Sequence, residues 1–168
     1  MKKKCFWVLL GLCVIFYFGN SYAEEGVTDS GIKLGLIGPF TGKLADWGTQ
    51  RYGSIMYFND INKEGGIYGR KIEWVLLDDA CDSAKMLAAV KKGIVREKVF
   101  ALFGGVCSSA IVACKPTVLE AKVPWVIPSS SADSIIYPYN RYLFRAAASS
   151  TGQSASIAQF IEDKGYKQ

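Results

Sequence analysis

The sequence predicts an α/β fold, a parallel-sheet lobe flanked by helices. From residue 32 onward, short apolar runs alternate with longer amphipathic segments, which is typical of a parallel sheet with helices on its faces. The apolar runs end in glycine, proline or aspartate, as buried strands do when a turn follows. Hydrophobic residues make up 50% of the chain and charged residues 21%, a balance that excludes a disordered chain.

The first half of the pattern contains two strand–helix units. In each unit a strand-like segment ends in turn-forming residues before an amphipathic segment begins. Asp82 stands where its carboxylate would cap the second helix, and basic residues lie in the last turn of that helix. The predicted elements are a strand at 32–37, a helix at 46–63, a strand at 71–77 and a helix at 83–96.

The second half continues the alternation with shorter strands. Ser108 or Ser109 is expected to cap the helix after the third strand. Pro116 should kink that helix or mark its true beginning, because proline lacks the backbone donor that a helix interior uses. A further strand is expected after the last helix, so the pattern stops in mid-unit and predicts the N-terminal portion of a longer fold. The predicted elements are strands at 99–103, 123–127 and 142–146, and helices at 108–122 and from 150.

The N-terminal segment predicts export. Three lysines at 2–4 precede an apolar run of 15 residues at 5–19, and Ser21 and Ala23 supply the small residues of a cleavage site. We therefore predict a cleavable signal peptide at 1–23. An uncleaved anchor is the alternative, although a membrane-spanning helix needs about 20 apolar residues.

Charge and composition exclude several classes of function. Removing residues 1–23 leaves 17 basic and 15 acidic side chains, so the exported chain is no polycation for nucleic acid. The chain has no histidine, which excludes Ser-His-Asp and Cys-His catalysis and histidine-ligated zinc. The acidic residues Asp78, Asp79 and Asp82 lack the glycine loop of an EF-hand calcium site. We expect no metal at these carboxylates, because a helix cap and a strand-end pair explain them.

A dinucleotide site is a weaker alternative. Gly35 lies in the first strand, Gly38 and Gly42 follow it, and an acidic residue ends the second strand. The Gly-x-Gly-x-x-Gly form is absent, however, and Pro39 removes a backbone donor that a phosphate would use. An NAD-dependent oxidoreductase is therefore only a secondary hypothesis.

Three cysteines remain after the signal peptide, so one should be unpaired. Disulfides persist in oxidising compartments. We pair Cys81 with Cys107, because both follow predicted strand ends that neighbouring parallel strands would bring together. Such a bridge stabilises the fold by roughly 3 kcal/mol on the chain-entropy model. A bridge between Cys107 and Cys114 is the weaker alternative. Without that bridge, Cys114 is expected to be a small buried hydrophobic residue.

Candidate binding loops lie beyond the carboxyl ends of the strands, where ligands bind in open parallel sheets. In the loop at 104–109, backbone N–H groups and serine hydroxyls at a helix start would suit a carboxylate. The alternative is that Ser108 only caps its own helix. The loop at 128–131 offers carbonyls and hydroxyls that suit an ammonium group. The loop at 38–42 is followed by Trp47, which either walls the pocket or belongs to the core.

Six stretches form an ordered series along the chain, namely 32–42, 59–72, 78–82, 104–109, 123–128 and Phe144-Arg145. Together these stretches resemble the branched-chain amino-acid (leucine/isoleucine/valine-type) substrate-binding proteins of ABC transporters, in the type I periplasmic binding protein family. The resemblance covers nearly all of 31–168, and the ordered series is specific.

The resemblance implies two α/β lobes that close on a ligand in the cleft between them. Residues 24–150 would form the N-terminal ligand-binding lobe, and 151–168 the hinge crossing and first helix of the second lobe. Segments that return to the first lobe would be missing, so the fragment should expose apolar surface.

The function implied is the periplasmic component of an ABC importer, which binds branched-chain or related amino acids, needs no cofactor and has no enzymatic activity. Its partner would be an inner-membrane permease, and the complete protein would be a monomer. The alternative is the ectodomain of an amino-acid or amide sensor or receptor.

The resemblance also implies a set of ligand contacts. Ser108 and the backbone amide of Ser131 would hold the α-carboxylate, while the carbonyl of Ser129 and the hydroxyl of Ser131 would hold the ammonium group. Trp47 would flank the ligand. Cys81 and Cys107 occupy the positions of the relatives' disulfide. Some relatives bind urea, amides or aromatic acids, which Ser108 and Ser131 do not exclude.

Overall fold

The computed structural model describes residues 24–166, so the predicted signal peptide at 1–23 lies outside the described residues. Within that range, five strands form one sheet in the order β2-β1-β3-β4-β5, and every neighbouring pair is parallel. This confirms the predicted α/β class. The strands are β1 (Gly31–Gly38), β2 (Lys71–Asp78), β3 (Ala101–Gly104), β4 (Trp125–Ile127) and β5 (Leu143–Arg145).

The helices follow the strands as predicted, with two local differences. The predicted helix at 46–63 begins with a separate 3-10 turn, Ala45–Thr49, and the one at 83–96 ends in a π-helical turn, Lys92–Arg96. No helix within residues 24–166 is both long and apolar enough to cross a membrane. The α-helices are α1 (Gln50–Lys63), α2 (Ser83–Lys91), α3 (Ser108–Ala121) and α4 (Ser150–Asp163).

Side-chain caps begin two of the helices but not α3. Asp82 accepts a hydrogen bond from the amide of Lys85 at 2.8 Å, as predicted. At α3 the N-cap residue is Cys107, with extended backbone angles and no side-chain cap. The prediction that Ser108 or Ser109 caps α3 is therefore wrong, because Ser108 is already helical and a capping residue is not. Pro116 lies inside α3 and does not mark its beginning.

The predicted disulfide joins Cys81 to Cys107, with 5.5 Å between the two Cα atoms. The two strands are not neighbours, as the prediction had them, because β1 lies between β2 and β3. Each cysteine lies three residues beyond the end of its strand, so the two loops meet past the end of β1. Cys114 is free and fully buried in α3. Burial, with the nearby charge of Asp79, raises the pKa of its thiol to about 11.

The core lies on one face of the sheet, beneath α2 and α3. The opposite face carries α1, which has no buried residue. There Phe58 of α1 stacks edge-on against Trp74 and Phe103 of the sheet, at centroid distances of 5.3 and 6.4 Å. Helix α4 has no buried residue either. Its large apolar side chains, Ile157, Phe160 and Ile161, are exposed.

Candidate functional site

A cavity of about 250 Å³ lies at the carboxyl ends of β1, β3 and β4, on the side of the sheet that α1 covers. Its wall includes Trp47 and Ser129, two of the four predicted ligand-binding residues. Ser108 and Ser131 are not in the wall, but each lies two residues along the chain from a residue that is. The predicted residues therefore gather along one rim of the sheet.

The loop after β3 is held against the end of β1 by its glycines. Gly104 and Gly105 have positive φ angles of 104° and 97°, which side chains disfavour. A Cβ on Gly104 would also collide with the backbone of Ile37. The amide of Gly105 donates to the carbonyl of Ile37 at 2.9 Å. The close contact between this loop and β1 places the start of α3 at the cavity rim.

Ser108 is the first residue of α3, and its hydroxyl has no hydrogen-bond partner within residues 24–166. The side chain is half-buried, and it caps no backbone amide at the helix start. The first backbone amides of a helix have no partner within the helix, and the helix dipole makes this end positive. A free hydroxyl beside such amides can donate to an anion.

The loop after β4 is tied to its neighbours by three consecutive serines. The buried Ser130 donates its hydroxyl to the carbonyl of Val106 at 2.6 Å. Ser129 donates its hydroxyl to the side-chain carbonyl of Gln50 in α1. The hydroxyl of Ser131 accepts from that of Ser150 at 3.2 Å. Each serine thus fixes the loop to a different element, a division of roles that the sequence reasoning missed.

Several backbone groups of residues 129–131 have no partner within the described residues. The amides of all three serines and the carbonyls of Ser129 and Ser130 make no hydrogen bond there, whereas the carbonyl of Ser131 accepts from the amide of Ser150. An amide can donate to a carboxylate, whereas a carbonyl can accept from an ammonium group. The loop therefore presents both backbone donors and backbone acceptors, among them the amide of Ser131 and the carbonyl of Ser129.

Arg145, at the end of β5, forms a network that the sequence reasoning also missed. Its guanidinium donates to the carbonyls of Ser131 and Ala132 at 2.8 and 3.0 Å, and pairs with Asp133 at 3.2 Å. Asp133 also accepts from the hydroxyl and amide of Thr151 in α4 at 2.6 and 3.1 Å. These bonds from Thr151, followed by Arg145, lower the pKa of the Asp133 carboxyl. The network joins the binding loop to the start of α4.

Asp78 organises the loop after β1. Its carboxylate accepts from the amides of Phe40 and Ala80 at 2.8 and 3.0 Å and from the Thr41 hydroxyl at 2.5 Å. Burial alone would raise the pKa of this carboxyl, but the hydrogen bonds outweigh burial and lower it. With both oxygens engaged in this loop, Asp78 is poorly placed for the ribose contact that the dinucleotide alternative requires.

Asp79, the next residue, is fully buried. One oxygen accepts from the amide of Cys81 at 2.7 Å, and the other has no partner within the described residues. Burial raises the pKa of its carboxyl. No group of three metal-ligating side chains between residues 24 and 166 is suited to a metal ion.

Trp47 is 56% exposed and lines the cavity, so it is not a core residue. It lies in the 3-10 turn before α1, where the next residue, Gly48, packs closely against the backbone of Pro39. Gln50 and Arg51, in the first turn of α1, line the same wall. The sequence reasoning overlooked both, because they belong to no motif and lie far along the chain from the serine loops.

The described residues form a parallel α/β lobe with an open cavity at its strand ends. The chain belongs to the periplasmic binding protein family, whose model matches residues 31–168. The predicted resemblance is thus confirmed. The relatives are solute-binding proteins rather than enzymes, which supports the predicted lack of enzymatic activity and leaves the oxidoreductase alternative without support.

Three relatives illustrate the likeness. The leucine-, isoleucine-, valine-, threonine-, and alanine-binding protein of Pseudomonas aeruginosa is 32% identical over 144 residues, which is 85% of this chain and 38% of that protein. The branched-chain amino acid transporter substrate binding protein LivJ of Streptococcus pneumoniae, in complex with isoleucine, matches with a TM-score of 0.74 and 29% identity, covering 80% of this chain and 39% of that one.

The third relative carries a different ligand. A solute binding protein of an ABC transporter from Rhodopseudomonas palustris, in complex with 3,4-dihydroxy benzoic acid, has a TM-score of 0.72 and 30% identity. The match covers 81% of this chain and 37% of that one. The chain therefore spans about two fifths of the length of these relatives.

Proposed function

We propose that this chain forms the N-terminal ligand-binding lobe of a periplasmic binding protein that delivers amino acids or related carboxylates to an ABC importer. Family membership and the ligands named for the relatives support this proposal. The single observation that carries it is the free hydroxyl of Ser108 at the start of α3, on the rim of an open cavity.

The free groups of the rim match the two charges of an amino acid. The hydroxyl of Ser108 and the unpartnered amide of Ser131 would donate to the α-carboxylate. The carbonyl of Ser129 and the hydroxyl of Ser131 would accept from the ammonium group, and the exposed ring of Trp47 would flank the ligand. These hydrogen bonds to charged groups are the strong ones in proteins.

The remaining parts of the proposal concern the compartment and the partners. The signal-like segment at 1–23 supports export to the periplasm, and an ABC permease would receive the solute. Residues 24–150 would form the first lobe, with α4 as the first helix of a second lobe. The bonds that Asp133 makes to Arg145 and Thr151 would then brace the crossing between lobes. A sensor or receptor ectodomain stays an untested alternative.

The test is Ser108→Ala in the full-length gene product, with amino-acid affinity measured by calorimetry. Loss of a hydrogen bond to a charged group should weaken binding by about 1 to 3 kcal/mol. Ser109→Ala is the matched control, because Ser109 is the next residue in the same helical turn and is exposed. Equal affinities for wild type and Ser108→Ala would count against the assigned site.

A further inference from the structure

Arg51 gives the cavity a fixed positive charge away from the serine loops. It lines the wall in the first turn of α1. Its guanidinium donates to the carbonyl of Gly48 at 2.9 Å and to the hydroxyl of Tyr52 at 2.7 Å. It also lies over the ring of Phe40, 4.8 Å from the centroid. All of these partners are neutral, and together they hold the guanidinium in one position.

Arg51 has no acidic partner among the described residues, since none of the ion pairs formed within residues 24–166 includes it. The first turn of α1 contains no acidic residue, although Asp46 lies in the 3-10 turn before it. The arginine therefore lies at the positive end of a helix dipole. The carboxylate of Asp78 is engaged by the loop after β1. Arg51 is half-buried, so it presents an unpaired cation to the cavity.

The geometry leaves donors available for such an anion. A guanidinium has five N–H donors in a planar fork that fits a carboxylate with two parallel hydrogen bonds. Two of the five are used by Gly48 and Tyr52. Gln50 accepts from Ser129 through its side-chain oxygen, which leaves its amide hydrogens as further donors. The polar part of this wall therefore offers donors and a positive charge.

Apart from Ser54, the rest of the cavity wall is apolar and would separate two charged groups. Its wall is built from Leu36, Ile37, Phe40, Trp47 and Phe103. A ligand held by its α-carboxylate and ammonium group at the serine rim could extend a short aliphatic chain along these walls toward Arg51. An aliphatic side chain alone would leave the guanidinium unpaired.

We propose that Arg51 determines specificity, and that the cavity takes an acidic amino acid whose side-chain carboxylate pairs with the Arg51 guanidinium. The inference rests on the proposed function, because the serine rim must hold the α-carboxylate for the second carboxylate to reach Arg51. It deepens that function by naming the substrate class as a solute with two carboxylates rather than a purely aliphatic amino acid.

Calorimetry on the full-length gene product with glutamate, glutamine and leucine tests the inference. Glutamate and glutamine have the same shape and differ in the charge at the chain end. We expect glutamate to bind at least about tenfold more tightly than glutamine, the range of a charge-assisted hydrogen bond. Arg51→Met keeps the length of the side chain and removes its charge. It should lower the affinity for glutamate about 10- to 100-fold and leave the affinity for leucine within about twofold of wild type.

Two further variants sharpen the measurement. Arg51→Lys keeps the charge and loses the planar fork, so it should restore part of the affinity for glutamate. Arg96→Met is the matched control, because Arg96 is an exposed arginine in the π-helical turn after α2 and does not line the cavity. Thermal unfolding of each variant reports whether it folds, and should Arg51→Met not fold, the wild-type ratio of glutamate to glutamine decides.

The outcomes separate this inference from the proposed function. If leucine binds, glutamate does not and Arg51→Met changes nothing, the specificity inference is overturned while the proposed function stands. If folded Arg51→Met loses all three ligands equally, Arg51 shapes the site without selecting a carboxylate, and the inference is again overturned. If wild type binds no amino acid and no carboxylate at all, the proposed function fails and the inference fails with it.

Discussion

The two faces of the sheet differ in how completely helices cover them. Beneath α2 and α3, Met86, Val90, Ile111 and Cys114 are fully buried. Beneath α1 the aromatic cluster around Phe58 is half-buried, and no residue of the helix itself is fully buried. The same strands therefore support a tightly packed side and an open one.

This difference separates stability from binding. The packed face carries the hydrophobic core, which is the main source of folding free energy. The open face leaves room at its carboxyl edge for the cavity and for Arg51, which forms no ion pair within the described residues. A ligand site needs unfilled space and unpaired polar groups, both of which cost stability. The lobe tolerates them because its core lies on the other side of the sheet.

The largest expected effect comes from one substitution made on both faces. Met86→Ala in α2 should lower the free energy of unfolding by about 2 to 5 kcal/mol, because it leaves a cavity at a fully buried site. Met56→Ala in α1 should change it by no more than about 0.5 kcal/mol, since that side chain is 68% exposed. Denaturant titration measures both, and equal losses would abolish the contrast between the faces.

The disulfide should contribute nearly as much to the free energy of unfolding as the Met86 side chain does. It links residues 26 apart in sequence, and replacing both Cys81 and Cys107 by serine should lower the free energy of unfolding by about 3 kcal/mol. Cys114→Ala keeps the bridge and serves as the control for thiol removal. Counting thiols in the unfolded, oxidised chain that starts at residue 24 should find one, and a count of three would rule out the bridge.

A smaller effect is expected at the junction of the binding loops. Ser130→Ala removes a buried hydrogen bond to the carbonyl of Val106 and should cost about 1 to 3 kcal/mol, because the carbonyl loses its partner. The exposed Ser109→Ala should be neutral in the same denaturation experiment. No loss in Ser130→Ala would mean that this bond does not hold the two loops together.

The smallest effects should come from two neighbouring aspartates, which make the stability of the fold depend on pH in opposite directions. The pKa of Asp78 is lowered from its ordinary 3.8, so its stabilisation is present above that value and is lost as pH falls through the folded pKa. The pKa of Asp79 is raised, so its contribution falls as pH rises from 3.8 through the folded pKa.

Melting temperatures between pH 2 and 7 test this pair of slopes. Asp78→Asn should melt lower at neutral pH and lose less stability toward acid than wild type does. Asp79→Asn should instead remove a decline that wild type shows as pH rises. Parallel profiles for the two variants would contradict the assigned environments.

Local patterns predicted the elements because each depends on residues close in sequence. The alternation of apolar runs and amphipathic segments located all five strands, and the carboxylate of Asp82 predicted a cap that it does form. The Ser108 cap was wrong by one residue. Whether a serine stands just before a helix or just inside it depends on the backbone angles of Cys107, which the composition of the loop does not specify.

Local sequence patterns did not predict contacts between distant segments. Ser129 and Gln50 are 79 residues apart in sequence, and neither belongs to a motif that indicates a partner. The same is true of Arg51, an ordinary helix residue in sequence that becomes a cavity wall because α1 begins beside the ends of β1 and β3.

The amino-acid sequence by itself determined the order of strands and helices and the edge of the sheet where binding loops gather. These follow from hydrophobic periodicity and from turn and cap residues, whose physics acts over a few positions. Only the tertiary structure decided which loops meet, which helix face stays open and where Arg51 lies. Those depend on the strand order β2-β1-β3-β4-β5, because adjacency in a parallel sheet is set by packing of whole elements.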